Sequence, residues 1–383
     1  PVLFIPRQHS HLRSTLAALS RHQTIRLIGP VDHGPHPGVT CFRADKIRPA
    51  NLEFSEQLHA AIISGLEQLG IQLMSADSLK LKQQILHQAQ LIKQIEAEFV
   101  IAKPDALLTF TDNHTPSQEY VAVANRQGLP TIMLQHGLDC EQYCLNDAYA
   151  TVVAVWGNAR KQRYQTLSEH QPTLIRTTGN PEYDHCRRPL QLCPSGDHWL
   201  WATRPHRPEK CYLPSRRPQE GLAILKALLT ALQQTETAHL VIKPHPMDYI
   251  DLYAAHIEEA QMSDRVTLSH LPLSTALPKS NIVISEDSTA ALEAMFLGKI
   301  LIHAHFAASP PVLPLSDYAA ALPASDPTEL QQSLKIARHF TREAQQKMFL
   351  GQKNFISDYA GDLDGKACER VTALISQVMN RKD

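Results

Sequence analysis

Four short clusters in the chain combine residue types that can do chemistry. Lys243-Pro-His-Pro246 sets an ammonium beside an imidazole held between two prolines. Pro244 and Pro246 fix the backbone on either side, so His245 is presented rigidly, and a cation next to an imidazole donor suits a phosphate or diphosphate. Ser285-Glu-Asp-Ser-Thr289 precedes a helical run, so the Ser288 and Thr289 hydroxyls and the first free N–H groups converge with the positive end of the helix dipole behind them. That is anion chemistry. Glu286 and, one or two turns on, Glu293 would repel phosphate but can accept from ribose hydroxyls. Gln135-His136-Gly137 puts an imidazole next to a residue that permits close backbone approach, which suits acid–base work. Gly179-Asn-Pro-Glu-Tyr-Asp184 delivers two carboxylates, Glu182 and Asp184, from a turn; either would serve as base or nucleophile if it faced a cleft. Each cluster also has an ordinary structural reading, as a rigid turn, an N-cap or a polar linker, so their joint placement carries the weight.

That placement follows from the elements around them. Short apolar, β-branched runs alternate with helical patterns: Val2–Pro6, Ile25–Ile28, Asp105–Phe110, Thr131–Leu134, Ala150–Val155 and a run near Leu174–Arg176 read as strands. Phe54–Glu98 carries helical periodicity with a break near Gly70. After a Pro- and Cys-bearing stretch, Arg187–Asp197, the alternation restarts with strands at Trp199–Thr203, His239–Ile242, Val266–Leu268, Asn281–Ile284 and Lys299–Ile302. Two such series predict two parallel-sheet α/β domains, over 1–190 and 191–340, with C-terminal helices over 341–383 that can cross back to the first domain. In open parallel sheets ligands sit beyond the carboxyl ends of the strands, and the four clusters all follow strands. Arg204-Pro-His-Arg207 does so too, opening a Pro-rich basic loop (Arg204, His206, Arg207, Lys210, Arg216, Arg217) suited to an acidic donor or acceptor.

Composition narrows the class. Among 383 residues, 37 Lys and Arg against 38 Asp and Glu give a formal charge of −1, which argues against nucleic acid as the main partner. Seven scattered cysteines read as reduced thiols, and Cys140 and Cys144 have no second pair with which to build a zinc site. No apolar run reaches the length of a membrane span, so a cytoplasmic protein is expected, at most peripheral to the inner face of the membrane. Neither G-x-x-x-x-G-K-[ST] nor G-x-G-x-x-G occurs, which disfavours a Walker-type nucleotidase and a dinucleotide oxidoreductase. No metal or cofactor is expected.

Taken in order, Gln135-His136-Gly137, Gly179–Asp184, Lys243–Pro246 and Glu286–Thr289 with Glu293 resemble bacterial GT-B glycosyltransferases that build surface polysaccharides. The capsule-synthesis, 3-deoxy-manno-octulosonic acid (Kdo) transferase, sialyltransferase and CDP-glycerol glycerophosphotransferase groups are the nearest. The resemblance runs from about Thr109 to Ile302 and lacks a clear acidic-acidic-Gly motif, Thr111-Asp-Asn-His114 standing in that neighbourhood. It implies two Rossmann-like domains facing a central cleft. It also implies a nucleotide phosphate, often cytidine-linked, held by His245-Pro246 and Ser288-Thr289. An acid or base on the first domain would then come from His136, Glu182 or Asp184. The expectation is therefore a transferase taking a sugar, first Kdo or a related ulosonic acid, from a CMP- or CDP-activated donor to a glycan or lipid-linked acceptor. Arg204, Lys243, His245, Glu286, Ser288, Thr289 and Glu293 would line the donor. A UDP-sugar 2-epimerase and a non-catalytic nucleotide-sugar-binding subunit are the competing expectations.

Overall fold

The computed structural model describes residues 1–9, 12–21, 24–31, 36–43, 52–138, 148–168, 172–186, 192–205, 217–246, 248 and 250–380. Most of the basic loop, His206–Arg216, and both Cys140 and Cys144 lie outside these residues.

The first half builds one seven-stranded sheet: β1 (Val2–Phe4), β2 (Arg26–Pro30), β3 (Thr40–Phe42), β4 (Ala106–Thr109), β5 (Thr131–Leu134), β6 (Val152–Val155) and β7 (Leu174–Thr177). Their spatial order is β3-β2-β1-β4-β5-β6-β7 and every pairing is parallel. Its helices are α1 (Arg13–Leu19), α2 (Leu52–Gln68), α3 (Ser75–Ala102), α4 (Ser117–Arg126) and α5 (Asn158–Leu167). The long helical pattern divides where Gly70 takes φ +75°, a conformation that glycine adopts without steric cost.

The second half builds a six-stranded parallel sheet from β8 (His198–Ala202), β9 (His239–Lys243), β10 (Val266–Leu268), β11 (Ile282–Ser285), β12 (Ile300–Ala304) and β13 (Leu322–Ala324). Its order is β10-β9-β8-β11-β12-β13. The helices that follow are α6 (Pro218–Gln233), α7 (Ile250–Glu259), α8 (Leu273–Ala276), α9 (Thr289–Phe296), α10 (Pro327–Arg338), α11 (Arg342–Tyr359) and α12 (Ala367–Asn380). Both sheets reverse strand order at a central strand, the arrangement that opens a crevice beyond the strands' carboxyl ends.

Strands covered on both faces read as continuous apolar runs rather than alternating ones. In β8, Trp199 and Trp201 enter one core with Ile224, Leu228 and Tyr253, while Leu200 enters another with Val283, Leu292 and Phe296. The second of these cores is shared, because Leu138 and Trp156 from the first half pack into it. α12 returns to the first half, where Val371, Leu374, Ile375 and Val378 pack with Leu3, Leu16 and Leu27. α11 packs on α5 and α9, one from each half. The two sheets are thus held as facing units by helices that bridge them. No helix among the described residues is long and apolar enough to cross a membrane.

Candidate active site

The carboxyl ends of β5 and β11 face one another. The loop after β5 reaches the start of α9, where the Leu138 amide donates to Thr289 Oγ1 across 3.3 Å. A Cβ on Gly137 would stand 3.6 Å from the same oxygen, so the loop passes Thr289 at ordinary contact distance. Gln135 fixes this loop to the neighbouring strand end: its Oε1 accepts from the Trp156 amide at 2.9 Å, and its carbonyl accepts from Trp156 Nε1 at 2.8 Å.

His136 stands on that scaffold. Its Nδ1 lies 2.9 Å from the Phe110 carbonyl oxygen, which can only accept, so Nδ1 carries the proton and Nε2 is the basic nitrogen. The His136 and Phe110 rings meet edge to face at 5.5 Å, and His9 stacks on Phe110 at 4.4 Å. Burial lowers the His136 imidazole to about 4, the positive charges of His114, Arg160 and His9 add to this, and only the Phe110 carbonyl opposes it. The ring is therefore neutral at neutral pH.

A cavity of about 90 Å³ adjoins it, lined by Thr111, Asp112, His114, Arg160 and Tyr164 among others. Asp112 is buried and its Oδ2 accepts from the amides of Tyr149 (2.7 Å) and Ala150 (2.9 Å), which anchors the entry to β6. Burial raises its carboxyl, against those amides and the Arg160 charge. Arg160, on α5 and only 7% exposed, bonds Tyr164 at 2.7 Å. Sequence reading missed it; its one signal was an Arg in the first turn of a helix that follows a buried strand.

Across the cleft, the loop carrying His245 is fixed by a buried network. The Thr203 hydroxyl donates to Asp248 and accepts from the His245 amide at 3.0 Å, and Tyr253 donates to Asp248 at 2.8 Å. Burial pushes the His245 imidazole below its usual range, aided by Arg204 and Lys243 and opposed by Asp248. Lys243 Nζ reaches only its neighbour's carbonyl, Pro244 O, at 3.1 Å among the described residues. Ser288 is the N-cap of α9 and accepts from the Ala290 amide at 3.2 Å. Ser288 and Thr289 both use an oxygen lone pair in these bonds, which leaves each O–H to donate. Glu293, one turn into α9, is half-buried, and burial alone raises its carboxyl.

Several of the expected site residues have partners of their own. Glu182 and Asp184 do not present free carboxylates to the cleft. Glu182 accepts from the amide and hydroxyl of Ser14 at 2.7 and 2.9 Å, near the start of α1. Asp184 accepts from the Ala367 and Cys368 amides at 2.9 and 2.8 Å, capping α12. Between them Tyr183 bridges the halves, edge-on to Trp156 at 5.6 Å and to Phe296 at 4.9 Å. The Gly179–Asp184 turn is an architectural junction, and its acids satisfy otherwise unbonded helix N–H groups. Arg204 is likewise engaged: it is 4% exposed, its amide donates to Glu286 at 3.2 Å and its guanidinium donates to the Asp287 carbonyl. Glu286 is also buried there, which leaves Glu293 as the more accessible of the two acids.

A larger cavity, about 1200 Å³, lies elsewhere, along α2 and α3 beside Phe54, Leu58, Ile85 and Ile92. Its walls are helix faces, with no strand end and no cluster of buried polar groups, so the strand-end cleft is the candidate site.

No family model matches the chain, and no curated protein matches it in sequence. Solved structures do match in fold. UDP-GlcNAc 2-epimerase from Neisseria meningitidis, bound to UDP-GlcNAc, superposes with a TM-score of 0.59 at 15% identity, covering 98% of this chain and 99% of that one. Sucrose-phosphate synthase from Thermosynechococcus elongatus gives 0.56 at 10% identity, covering 99% and 98%. A glycosyltransferase from Rickettsia africae gives 0.55 at 10% identity, covering 100% and 99%. The chain has the GT-B fold, two parallel-sheet α/β units across a cleft, over its whole length.

Proposed function

We propose that the chain is a nucleotide-sugar-dependent glycosyltransferase in which His136 is the general base. The observation that carries this is the His136 imidazole: neutral, fixed in one tautomer by the Phe110 carbonyl, and set opposite the start of α9. In this reading Nε2 takes the proton of an acceptor hydroxyl as its oxygen attacks the anomeric carbon. The bond from that carbon to the donor phosphate oxygen breaks, and the charge left on the phosphate is received by Lys243, His245 and the Ser288 and Thr289 hydroxyls. Glu293 is assigned to the ribose. With both junction acids engaged as caps, the reading needs no carboxylate nucleophile, and a single displacement inverts the anomeric centre.

The donor's base and sugar are a finer assignment. The sequence resemblance supports a CMP- or CDP-linked donor, with Kdo or a related ulosonic acid first. The solved epimerases described with UDP or UDP-GlcNAc support a uridine nucleotide instead. The likeness to epimerases over the full chain also supports a second reading, inversion at C2 of a UDP-sugar without an acceptor, with His136 moving the C2 proton.

One assay separates these readings. Purified protein is given CMP-, CDP- and UDP-sugars with and without a glycan acceptor, and released nucleotide and epimerised sugar are both measured. Acceptor-dependent nucleotide release, lost in His136→Gln, supports transfer. Acceptor-independent epimerisation supports the second reading. A chain that binds nucleotide but turns over none, with His136→Gln indistinguishable from wild type, would be a binding subunit.

A further inference from the structure

One buried cluster has no part in the chemistry above. His303 and His305 lie two residues apart at the end of β12, so both side chains leave the same face of the sheet. Asp287 follows the adjacent strand, and the pairing Ser285↔His303 brings it alongside them. The Asp287 carboxylate is fully buried, and the imidazoles are 4% and 10% exposed. Nε2 of His303 stands 3.1 Å from Oδ1, and Nδ1 of His305 stands 3.3 Å from Oδ2. One ligand atom from each residue falls within 4.8 Å of the others.

The protons make the cluster unusual. Nε2 of His305 bonds the Ser309 carbonyl, so that nitrogen carries a hydrogen. In a neutral imidazole Nδ1 then presents its lone pair, and it faces a carboxylate oxygen that can also only accept. A cation between the two acceptors makes the contact favourable. The surroundings fit a metal ion. Asp287 is braced from behind by the Val312 and Leu313 amides at 3.2 and 3.1 Å, and His305 by Ser309, the outer bonds that orient metal ligands.

We propose that Asp287, His303 and His305 bind one divalent transition-metal ion of the zinc type, to which two imidazoles and a carboxylate are suited. The ion ties the ends of β11 and β12 to the segment at 309–313, directly beneath the Ser288 cap of α9. Its role is structural, and it stands independently of the transferase reading.

The test uses the whole chain. Protein stripped with EDTA is titrated with Zn²⁺ and separately with Co²⁺, whose visible absorption reports nitrogen and oxygen ligation. Bound metal is counted by mass spectrometry after desalting. The expected result is saturation at one metal per chain, a rise in thermal midpoint on binding, and a loss of affinity of about tenfold or more in His303→Gln and His305→Gln. His198→Gln, a change at an exposed histidine of β8, should bind as wild type does. Because the site variants can lose stability, the wild-type titration decides alone if they do not fold. A wild type that binds no metal would overturn the proposal and leave a protonated His305 as the cation. Site variants that bind as much metal as wild type would overturn it as well.

Discussion

The Leu138 amide and Thr289 Oγ1, 3.3 Å apart, join the loop that carries His136 to the helix start that carries the Ser288 and Thr289 hydroxyls. One bond thus links the loop of the basic nitrogen in one sheet to the helix start proposed to hold phosphate in the other. In the proposed transfer neither half holds the complete set, so turnover would depend on their approach.

Replacing His136 with Gln should remove the base without opening a cavity. We expect turnover to fall by about 10²- to 10⁴-fold, with nucleotide affinity within about twofold of wild type. Steady-state kinetics beside a nucleotide titration checks this; a loss confined to KM would move His136 to a binding role.

The pH dependence follows from the same imidazole. His136 stays unprotonated down to about 4, against its ordinary 6.5, so kcat/KM should show no histidine limb near 6.5 and should decline only toward pH 4. The stability consequence has the same sign. Between those values the unfolded chain binds a proton that the folded one does not. The contribution of neutral His136 is thus complete above about 6.5 and is lost as pH falls toward 4. A profile of kcat/KM with an acid limb at 6 to 7 assigned to this residue would contradict the environment described.

The junction acids should matter to the fold. Asp184→Asn and Glu182→Gln each weaken bonds to helix-terminal amides, and each is expected to cost about 0.5–2 kcal/mol, read as a lower denaturation midpoint. Specific activity per folded molecule should hold. If either variant folds normally and loses turnover by orders of magnitude, that acid has a chemical role that its bonding does not suggest.

Gly157 tests how the halves are fastened. A Cβ there would lie 2.1 Å from the Asp358 carbonyl oxygen and 2.6 Å from its carbon, both backbone atoms at the end of α11. Gly157→Ala must therefore push α11 off the first sheet, and we expect a loss of several kcal/mol, seen as insoluble or thermally labile protein. Gly137→Ala, whose Cβ meets Thr289 at 3.6 Å, should fold normally.

Most of the architecture was legible because buried parallel strands announce themselves as apolar runs, and each motif's place after a strand located the cleft. The two strands missed, β3 and β13, are three residues long, and Leu-Pro-Ala carries no strand signal. The partners of the Gly179–Asp184 acids, Ser14 and Cys368, lie 168 and 184 residues away in the chain, beyond the reach of local reading. Composition of a turn reveals that a carboxylate is delivered, not to what. Arg160 was hidden for the converse reason: an Arg on a polar helix reads as surface until packing buries it.

The most direct test of the central claim is calorimetric titration of CMP, CDP and UDP into wild-type protein and His245→Ala. The account predicts saturable binding of at least one nucleotide and a loss of affinity of about tenfold or more in the variant. Absence of binding by every nucleotide, or equal affinity in the two proteins, would contradict it.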